Sequence, residues 1–251
     1  MGKDRSGRYN QSQDLSADSD KFEHNKRAGA FFGRRHGKTL RQEQAQGLAG
    51  LFPQLALDCS QPLRPDTLFA TPRQAYWLEI GFGGGEHLLR NAKAHSEIGH
   101  LGCEPFINGL AKLVAAIGRD GLDNIRLHDD DALQVLNQLP DASLDRIYLL
   151  YPDPWPKRRH HKRRFVSDAM LAHFARVLKP GAFFCFASDI DHYVGWTLAR
   201  LLRSDQFDWC AEKPADWKEP WAGWQSTRYE AKALREGRVP SYITARRRGS
   251  A

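Results

Sequence analysis

A glycine-rich segment gives the clearest sign of a ligand site. It reads LEIGFGGG over residues 78–85 and lies directly after a predicted strand and before a predicted helix. Glycine permits positive φ and lets the backbone approach a ligand closely, and open parallel sheets bind ligands at the carboxyl ends of their strands. Gly81 and Gly83 are therefore candidate ligand-binding residues, and Glu79 lies just before them.

The same segment suits a pyrophosphate poorly. A dinucleotide fingerprint GxGxxG that begins at Gly81 needs a glycine at position 86, where this chain has Glu86. A carboxylate at a helix amino terminus also repels the phosphates that the helix dipole attracts. We therefore expect a nucleoside ligand without phosphates, which disfavours an NAD-dependent dehydrogenase.

Two more acidic residues follow the next two predicted strands. Glu104 is placed to hold both hydroxyls of a ribose, and Asp131, followed by Ala132, is placed to accept a hydrogen bond from an adenine amino group. Glu79 suits the positively charged sulfonium and amino groups of S-adenosylmethionine. The three carboxylates together predict a pocket for that cofactor, and the alternative is a tight turn followed by two helix N-caps.

A carboxylate between prolines follows the fourth predicted strand. The segment YPDPWP covers residues 151–156, and its prolines stiffen the backbone around Asp153. Such a backbone holds a carboxylate in a fixed direction beside a cofactor, so Asp153 is the candidate catalytic residue. Trp155 offers either a stacking surface for a base or an ordinary core side chain.

A dense basic run comes next. Residues 157–164 comprise six Lys or Arg and two His. Most such runs are solvated faces, but this one adjoins the predicted active site, which favours contact with RNA phosphates. The candidate RNA-contact residues are Arg159, His160, His161, Lys162, Arg163 and Arg164. The two histidines lack a third ligand at usable spacing, so we predict no metal site.

Later segments add polar residues at the same sheet edge. Asp189 ends the fifth predicted strand and is a candidate substrate contact. Its alternative role is the N-cap of the next helix, which is compatible with substrate contact. The segment TRYE at residues 227–230 follows a loop rich in tryptophan, which is expected to cover one end of the sheet.

The elements that position these residues alternate between strand and helix from residue 76 onward. This alternation predicts an α/β fold, a parallel sheet with helices on both faces. The expected strands cover residues 76–80, 100–103, 124–128, 144–150, 182–187, 207–210 and 242–245, and the expected helices cover residues 39–51, 86–94, 107–117, 132–138, 165–178 and 192–203. Residues 1–28 are expected to be a flexible tail, and residues 29–75 a basic and aromatic segment with a linker.

Composition narrows the class of protein. The chain has 251 residues, a formal net charge of +7 and 41% hydrophobic residues, which excludes a wholly disordered chain and fits an acidic partner. It lacks the run of about 18 apolar residues that a membrane helix needs. The four cysteines form no CxxC pair, which indicates a reducing, cytoplasmic setting.

Taken together, these segments resemble the bacterial tRNA (guanine-N7)-methyltransferases. The similarity covers about residues 30–245, and the motifs occur in the family's order: GRRHGK, LEIGFGGG, CEP, the Asp131–Ala132 pair, PDPWPKRRHHKRR, the Ser188–Asp189 pair and TRYE. The resemblance implies a class I, Rossmann-like methyltransferase domain over residues 76–251, with a seven-stranded, mostly parallel sheet. It also implies methyl transfer from S-adenosylmethionine to N7 of guanine 46 in the variable loop of tRNA, by a monomer or a homodimer.

The resemblance assigns roles residue by residue. It implies that Glu79, Glu104, Asp131 and Asp153 line the cofactor site and that the basic run meets RNA. The residues implied to contact the substrate are Lys157, Asp189, Thr227, Arg228, Tyr229 and Glu230. Two alternatives stay open: a methyltransferase acting on an exocyclic amine of a base, and an RNA-binding protein with a degenerate cofactor pocket.

Overall fold

The computed structural model describes residues 32–249. The predicted tail at residues 1–28 lies outside the described residues. None of the helices in the described part is long and apolar enough to cross a membrane.

A seven-stranded sheet forms the centre of the molecule. Its strands are β1 (Ala75–Ile80), β2 (Ile98–Cys103), β3 (Ile125–His128), β4 (Leu144–Leu150), β5 (Leu178–Ser188), β6 (Phe207–Trp209) and β7 (Ser241–Arg247). They lie in the order β3-β2-β1-β4-β5-β7-β6. Strands β1 to β5 pair in parallel, whereas β7 is antiparallel to both β5 and β6. The expected mostly parallel, Rossmann-like sheet is confirmed, and its order reverses between β1 and β4, where such sheets bind ligands.

Helices connect the strands and cover both faces of the sheet. They are α1 (Gln42–Gly50), α2 (Phe52–Leu55), α3 (Glu86–Ala94), α4 (Ile107–Asp120), α5 (Ala132–Gln138), α6 (Asp168–Val177), α7 (Asp191–Leu201), α8 (Ala215–Lys218) and α9 (Arg228–Arg235). The predicted bounds of α3 and α5 are confirmed. Helix α6 begins three residues later than predicted, because the Ser167 hydroxyl caps it by accepting from the Met170 N–H at 3.1 Å.

The two faces of the sheet are packed differently. On one face, fully buried side chains such as Leu78, Ile147 and Phe184 join residues of α5, α6 and α7 in the largest apolar cluster. On the other face, Tyr148 and Tyr242 lie beneath Trp221 and Trp224 of the tryptophan-rich loop. Because strand side chains alternate between faces, the loop has a defined surface to cover.

The segment before β1 is more than a linker. Leu55, Leu57, Leu63 and Phe69 are all buried in the apolar clusters. Asn108 at the start of α4 holds the basic part of the segment: its Oδ1 accepts from the Gly37 N–H at 2.7 Å, and its Nδ2 donates to the Lys38 carbonyl at 2.6 Å.

Candidate active site

The glycine loop lies between β1 and α3 at the carboxyl edge of the sheet. Gly81, Gly83 and Gly85 have φ of 70°, 57° and 76°, a region that favours glycine. A Cβ on Gly81 would meet no atom within 4 Å, so the loop is open to a ligand there. A Cβ on Gly109 of α4 would lie 2.0 Å from the Gly83 carbonyl oxygen.

The three predicted cofactor carboxylates lie at the carboxyl ends of the neighbouring strands β1, β2 and β3. Glu104 is buried, and its two oxygens accept from the N–H groups of Gly83 at 2.6 Å and Phe106 at 2.9 Å. Burial raises its pKa. Asp131 caps α5 by accepting from the Leu133 N–H at 3.0 Å, and burial raises its pKa too. Asp131 is therefore an N-cap, as the alternative interpretation of these carboxylates predicted. Glu104, by contrast, is hydrogen-bonded to the glycine loop.

Glu79, the third carboxylate, is 6% exposed and contacts a histidine that sequence reasoning missed. The Nδ1 atom of His87 lies 2.7 Å from Glu79 Oε2. Glu79 Oε1 makes no hydrogen bond with the described residues, and Glu79 lines a depression beside Gly81. His87 belongs to no recognisable sequence motif. It reaches Glu79 on β1 because α3 begins directly after the glycine loop.

Part of this depression is filled by the chain itself. The space it encloses is about 270 Å³ with its open mouth included. Tyr229 lines it, and a Cβ on Gly83 would lie 2.9 Å from Tyr229 Cε2 and 3.2 Å from Arg228 Nη2. The amino terminus of α9 therefore lies directly over the glycine loop.

Asp153 lies on a turn after β4 whose backbone is unusual. Tyr151 and Trp155 have φ of 50° and 43°, values that non-glycine residues rarely adopt and that cluster at functional sites. The Asp153 side chain is exposed and makes no hydrogen bond or ion pair with the described residues. Desolvation by its surroundings raises its pKa. The turn thus presents a carboxylate that has no hydrogen bond or ion pair within residues 32–249.

The basic run forms a 3₁₀ helix, Arg158–Arg163. Lys157, Arg159 and Lys162 are exposed. His160 and His161 are half-buried, and the Arg163 guanidinium lies 5.0 Å from the ring centres of both Phe32 and Trp155. The described residues contain no group of three or more His, Cys, Asp or Glu that could hold a metal ion.

Arg164 is packed differently from the rest of the basic run. It is 4% exposed, donates to the Pro154 carbonyl at 2.8 Å and packs on the rings of Tyr193 and Trp196. A guanidinium in this position supports the Asp153 turn from beneath, and its burial disfavours the predicted contact with RNA. Sequence reasoning counted it with the surface cations because the run of charges gives no sign of where the chain turns inward.

Asp189 is held by an arginine that the sequence did not single out. Arg238 Nε donates to Asp189 Oδ2 at 2.5 Å. Asp189 does not cap α7, since the N-cap of that helix is Ile190. The alternative role for Asp189 is therefore wrong, and its carboxylate faces the segment after α9.

The TRYE segment divides into buried and exposed residues. Thr227 caps α9 by accepting from the Glu230 N–H at 3.2 Å, and both residues are buried. Glu230 accepts from Trp224 Nε1 at 2.7 Å and from the Tyr242 hydroxyl. Arg228 and Tyr229 are exposed beside the glycine loop. Sequence reasoning predicted no helix here, although Thr followed by Glu three residues later is a capping pattern.

Comparison with known proteins shows the family of this chain. A family model described as "Putative methyltransferase" matches residues 73–241. The chain is 57% identical over 220 residues to the tRNA (guanine-N(7)-)-methyltransferase of Rhizobium meliloti, a match that covers 87% of this chain and 95% of that protein.

The chain is also 57% identical over 223 residues to the enzyme of the same name from Brucella melitensis biotype 1, covering 88% of this chain and 96% of that one. Among solved structures, an S-adenosylmethionine-dependent O-methyltransferase from Thermotoga maritima aligns at a TM-score of 0.47 and 12% identity, covering 86% of this chain and 68% of that one. Extensive identity along nearly the whole length of the two relatives shows that this chain belongs to the tRNA (guanine-N(7)-)-methyltransferase family.

Proposed function

We propose that this enzyme transfers a methyl group from S-adenosylmethionine to N7 of a guanine in tRNA, at position 46 of the variable loop. The observation that carries the assignment is the placement of Asp153. Its unpartnered carboxylate lies at the carboxyl end of β4, beside β1 with its glycine loop, and the exposed cations of the 3₁₀ helix follow directly.

The reaction requires little general acid or base catalysis from the protein. Guanine N7 carries a lone pair and no proton, so no general base is needed, and orientation of the reactants dominates catalysis. S-adenosylmethionine, when bound, supplies a methyl group on a positively charged sulfur. Positive charge develops on the purine as N7 is methylated, and the Asp153 carboxylate stabilises it while accepting from guanine N1–H and N2–H.

The residues around the glycine loop fit the proposed cofactor. Glu79 Oε1 is free to accept from the amino group of the cofactor, because His87 occupies only Oε2. Glu104 and Asp131 follow β2 and β3 and offer acceptors for ribose hydroxyls and the adenine amino group. Gly81, Gly83 and Ala132 let the backbone approach the adenosine.

The substrate side consists of cations and polar groups at the same edge. Lys157, Arg159 and Lys162 are placed to bind tRNA phosphates, with His160, His161 and Arg163 behind them. Asp189 and the TRYE residues are proposed to position the guanine and its nucleotide. A tRNA substrate supports a cytoplasmic location.

The assignment is tested by locating the methyl group. The protein is incubated with isotopically labelled S-adenosylmethionine and an unmodified tRNA transcript, and the product is digested and analysed by mass spectrometry. We expect 7-methylguanosine at position 46 and no label in a transcript with adenosine there. Label on an exocyclic amine would instead support the alternative methyltransferase, and failure to bind the cofactor in calorimetry would support a non-catalytic RNA-binding protein.

A further inference from the structure

His87 lies between the cofactor side and the substrate side of the site. It is 7% exposed, at the second position of α3. Its Nδ1 is 2.7 Å from Glu79 Oε2, while Asn91 Nδ2 is 2.9 Å from its Nε2. Asn91 Nδ2 also lies 3.3 Å from Nδ1, so the amide lies beside the ring and helps to fix its orientation. The Nδ1 contact holds one Glu79 oxygen, and the other makes no hydrogen bond with the described residues.

The same ring supports the tryptophan-rich loop. The His87 ring centre lies 5.1 Å from that of Trp224 and 4.6 Å from that of Tyr148. Trp224 Nε1 in turn donates to Glu230 Oε2 at 2.7 Å. His87 therefore contacts Glu79 on the cofactor side and also Trp224, whose N–H is bonded to Glu230 on the substrate side.

Two neighbours of His87 on α3 contact the end of the tryptophan-rich loop and the first residue of α9. Arg90 Nη2 donates to the Gln225 carbonyl at 2.6 Å, and Glu86 Oε1 lies 4.0 Å from Arg228 Nε. Residues 86, 87 and 90 occupy one side of the helix, so α3 is the surface on which the segment before α9 rests.

We propose that His87 is a positioning residue that couples the two halves of the site. Its Nδ1 orients Glu79 for the cofactor, and its ring sets the position of Trp224. Through the buried Glu230, Trp224 in turn places the exposed Arg228 and Tyr229 at the start of α9 for the tRNA. The inference rests on the proposed function, because it takes Glu79 as a cofactor contact and Arg228 and Tyr229 as substrate contacts. In it, His87 acts on the two ligands through Glu79 and Trp224.

Two substitutions separate the two contacts of this side chain. His87→Asn keeps a donor, because Asn Nδ2 occupies nearly the same place as His Nδ1, but it removes the ring from Trp224. His87→Phe keeps a ring against Trp224 and Tyr148 but removes the donor to Glu79. Trp224→Phe leaves His87 intact and removes only the N–H that Glu230 accepts.

The test measures two dissociation constants without turnover: S-adenosylmethionine by calorimetry, and unmodified tRNA by filter binding. We expect His87→Phe to weaken cofactor binding about tenfold and to leave tRNA binding within about twofold, since it removes a hydrogen bond to a charged group. We expect His87→Asn and Trp224→Phe to show the reverse pattern, weaker tRNA binding with cofactor binding nearly unchanged.

A purely structural role for His87 predicts a different outcome. Both His87 variants would then lose affinity for both ligands in proportion to their loss of thermal stability, and this result would overturn the proposal. If either His87 variant fails to fold, Trp224→Phe still decides, because unchanged tRNA binding in that variant contradicts the link to Glu230. Absence of 7-methylguanosine formation by the unsubstituted enzyme would count against the proposed function and not against the coupling.

Discussion

A Cβ on Gly109 would lie 2.0 Å from the carbonyl oxygen of Gly83, so the first turn of α4 and the glycine loop are in backbone contact. The loop also donates to Glu104, the residue that leads from β2 into that turn. The shape of the cofactor site is therefore set partly by a glycine that lies outside the glycine-rich motif.

Gly109→Ala tests this contact. Because the backbone of the loop would have to move, we expect a loss of about 1–3 kcal/mol in the free energy of unfolding and at least tenfold weaker binding of S-adenosylmethionine. Chemical denaturation and calorimetry measure the two effects.

Gly195→Ala is the matched control, since Gly195 also lies inside a helix and a Cβ there meets nothing within 4 Å. Alanine at this position should stabilise the protein by up to about 1 kcal/mol and leave cofactor binding unchanged. Equal behaviour of the two alanine variants would refute the role assigned to the Gly109 contact.

Asp153→Asn should retain the fold and lose most methyl transfer. The carboxylate is exposed and unpartnered, so its removal costs no intramolecular contact, and its raised pKa indicates that the charge is not a stabilising one. We expect a fall of about 100-fold or more in the single-turnover rate with bound tRNA. Asp205→Asn, at an exposed site before β6, is the control, and near-normal turnover by Asp153→Asn would remove Asp153 from the mechanism.

Substitutions in the basic run should have different effects according to exposure. Arg159→Gln and Lys162→Gln remove surface charges, so tRNA binding should weaken and the dependence of log K on log salt should fall by about 1 for each phosphate that is no longer neutralised. Arg164→Gln should lower the melting temperature and leave this slope unchanged, because Arg164 is buried. Salt titrations of tRNA binding measure the slope, and a change for Arg164→Gln alone would contradict the division.

His100 should make the fold sensitive to acid. Burial lowers its pKa to about 3, whereas an unfolded chain has a histidine pKa of about 6.5. Between these values the unfolded state binds the extra proton, so stability that is present above pH 6.5 is lost as the pH falls toward 3.

We therefore expect the unfolding free energy of the wild type to fall, relative to that of His100→Gln, by up to about 1.4 kcal/mol per pH unit between pH 6 and 4. Taking the difference between the two proteins cancels the contribution of the carboxyl groups. Denaturant titrations at each pH give this difference, and parallel curves would show that His100 does not titrate abnormally.

The sheet could be predicted from the sequence because its signals are local. Apolar runs bounded by turn residues predicted all seven strands. The glycine-rich loop before α3 predicted where that helix begins. Helix α6 ends at Val177, one residue before its predicted end. The predicted strand over residues 182–187 begins earlier, at Leu178, because a register irregularity between β4 and β5 accommodates the turn residues within the strand.

The candidate site was only partly predictable, because several of its contacts join distant parts of the chain. Arg238 reaches Asp189 across 49 residues, and Trp224 approaches His87 through packing of a loop that has no periodic pattern. Arg164 shows the opposite failure: composition marks it as a surface cation, and only the fold shows its packing against Tyr193. Charge runs predict the partner class, but not which members of the run meet that partner.

Strand β7 has a consequence for synthesis of the enzyme. It is the last strand along the chain, yet it lies between β5 and β6 and supplies Tyr242, whose hydroxyl reaches Glu230. While the polypeptide is being made, β5 has an open edge and β6 has no neighbour until residues 241–247 are available. A polypeptide released before these residues are made contains the glycine loop but lacks the strand that joins β5 to β6. Its open strand edge favours aggregation over partial activity.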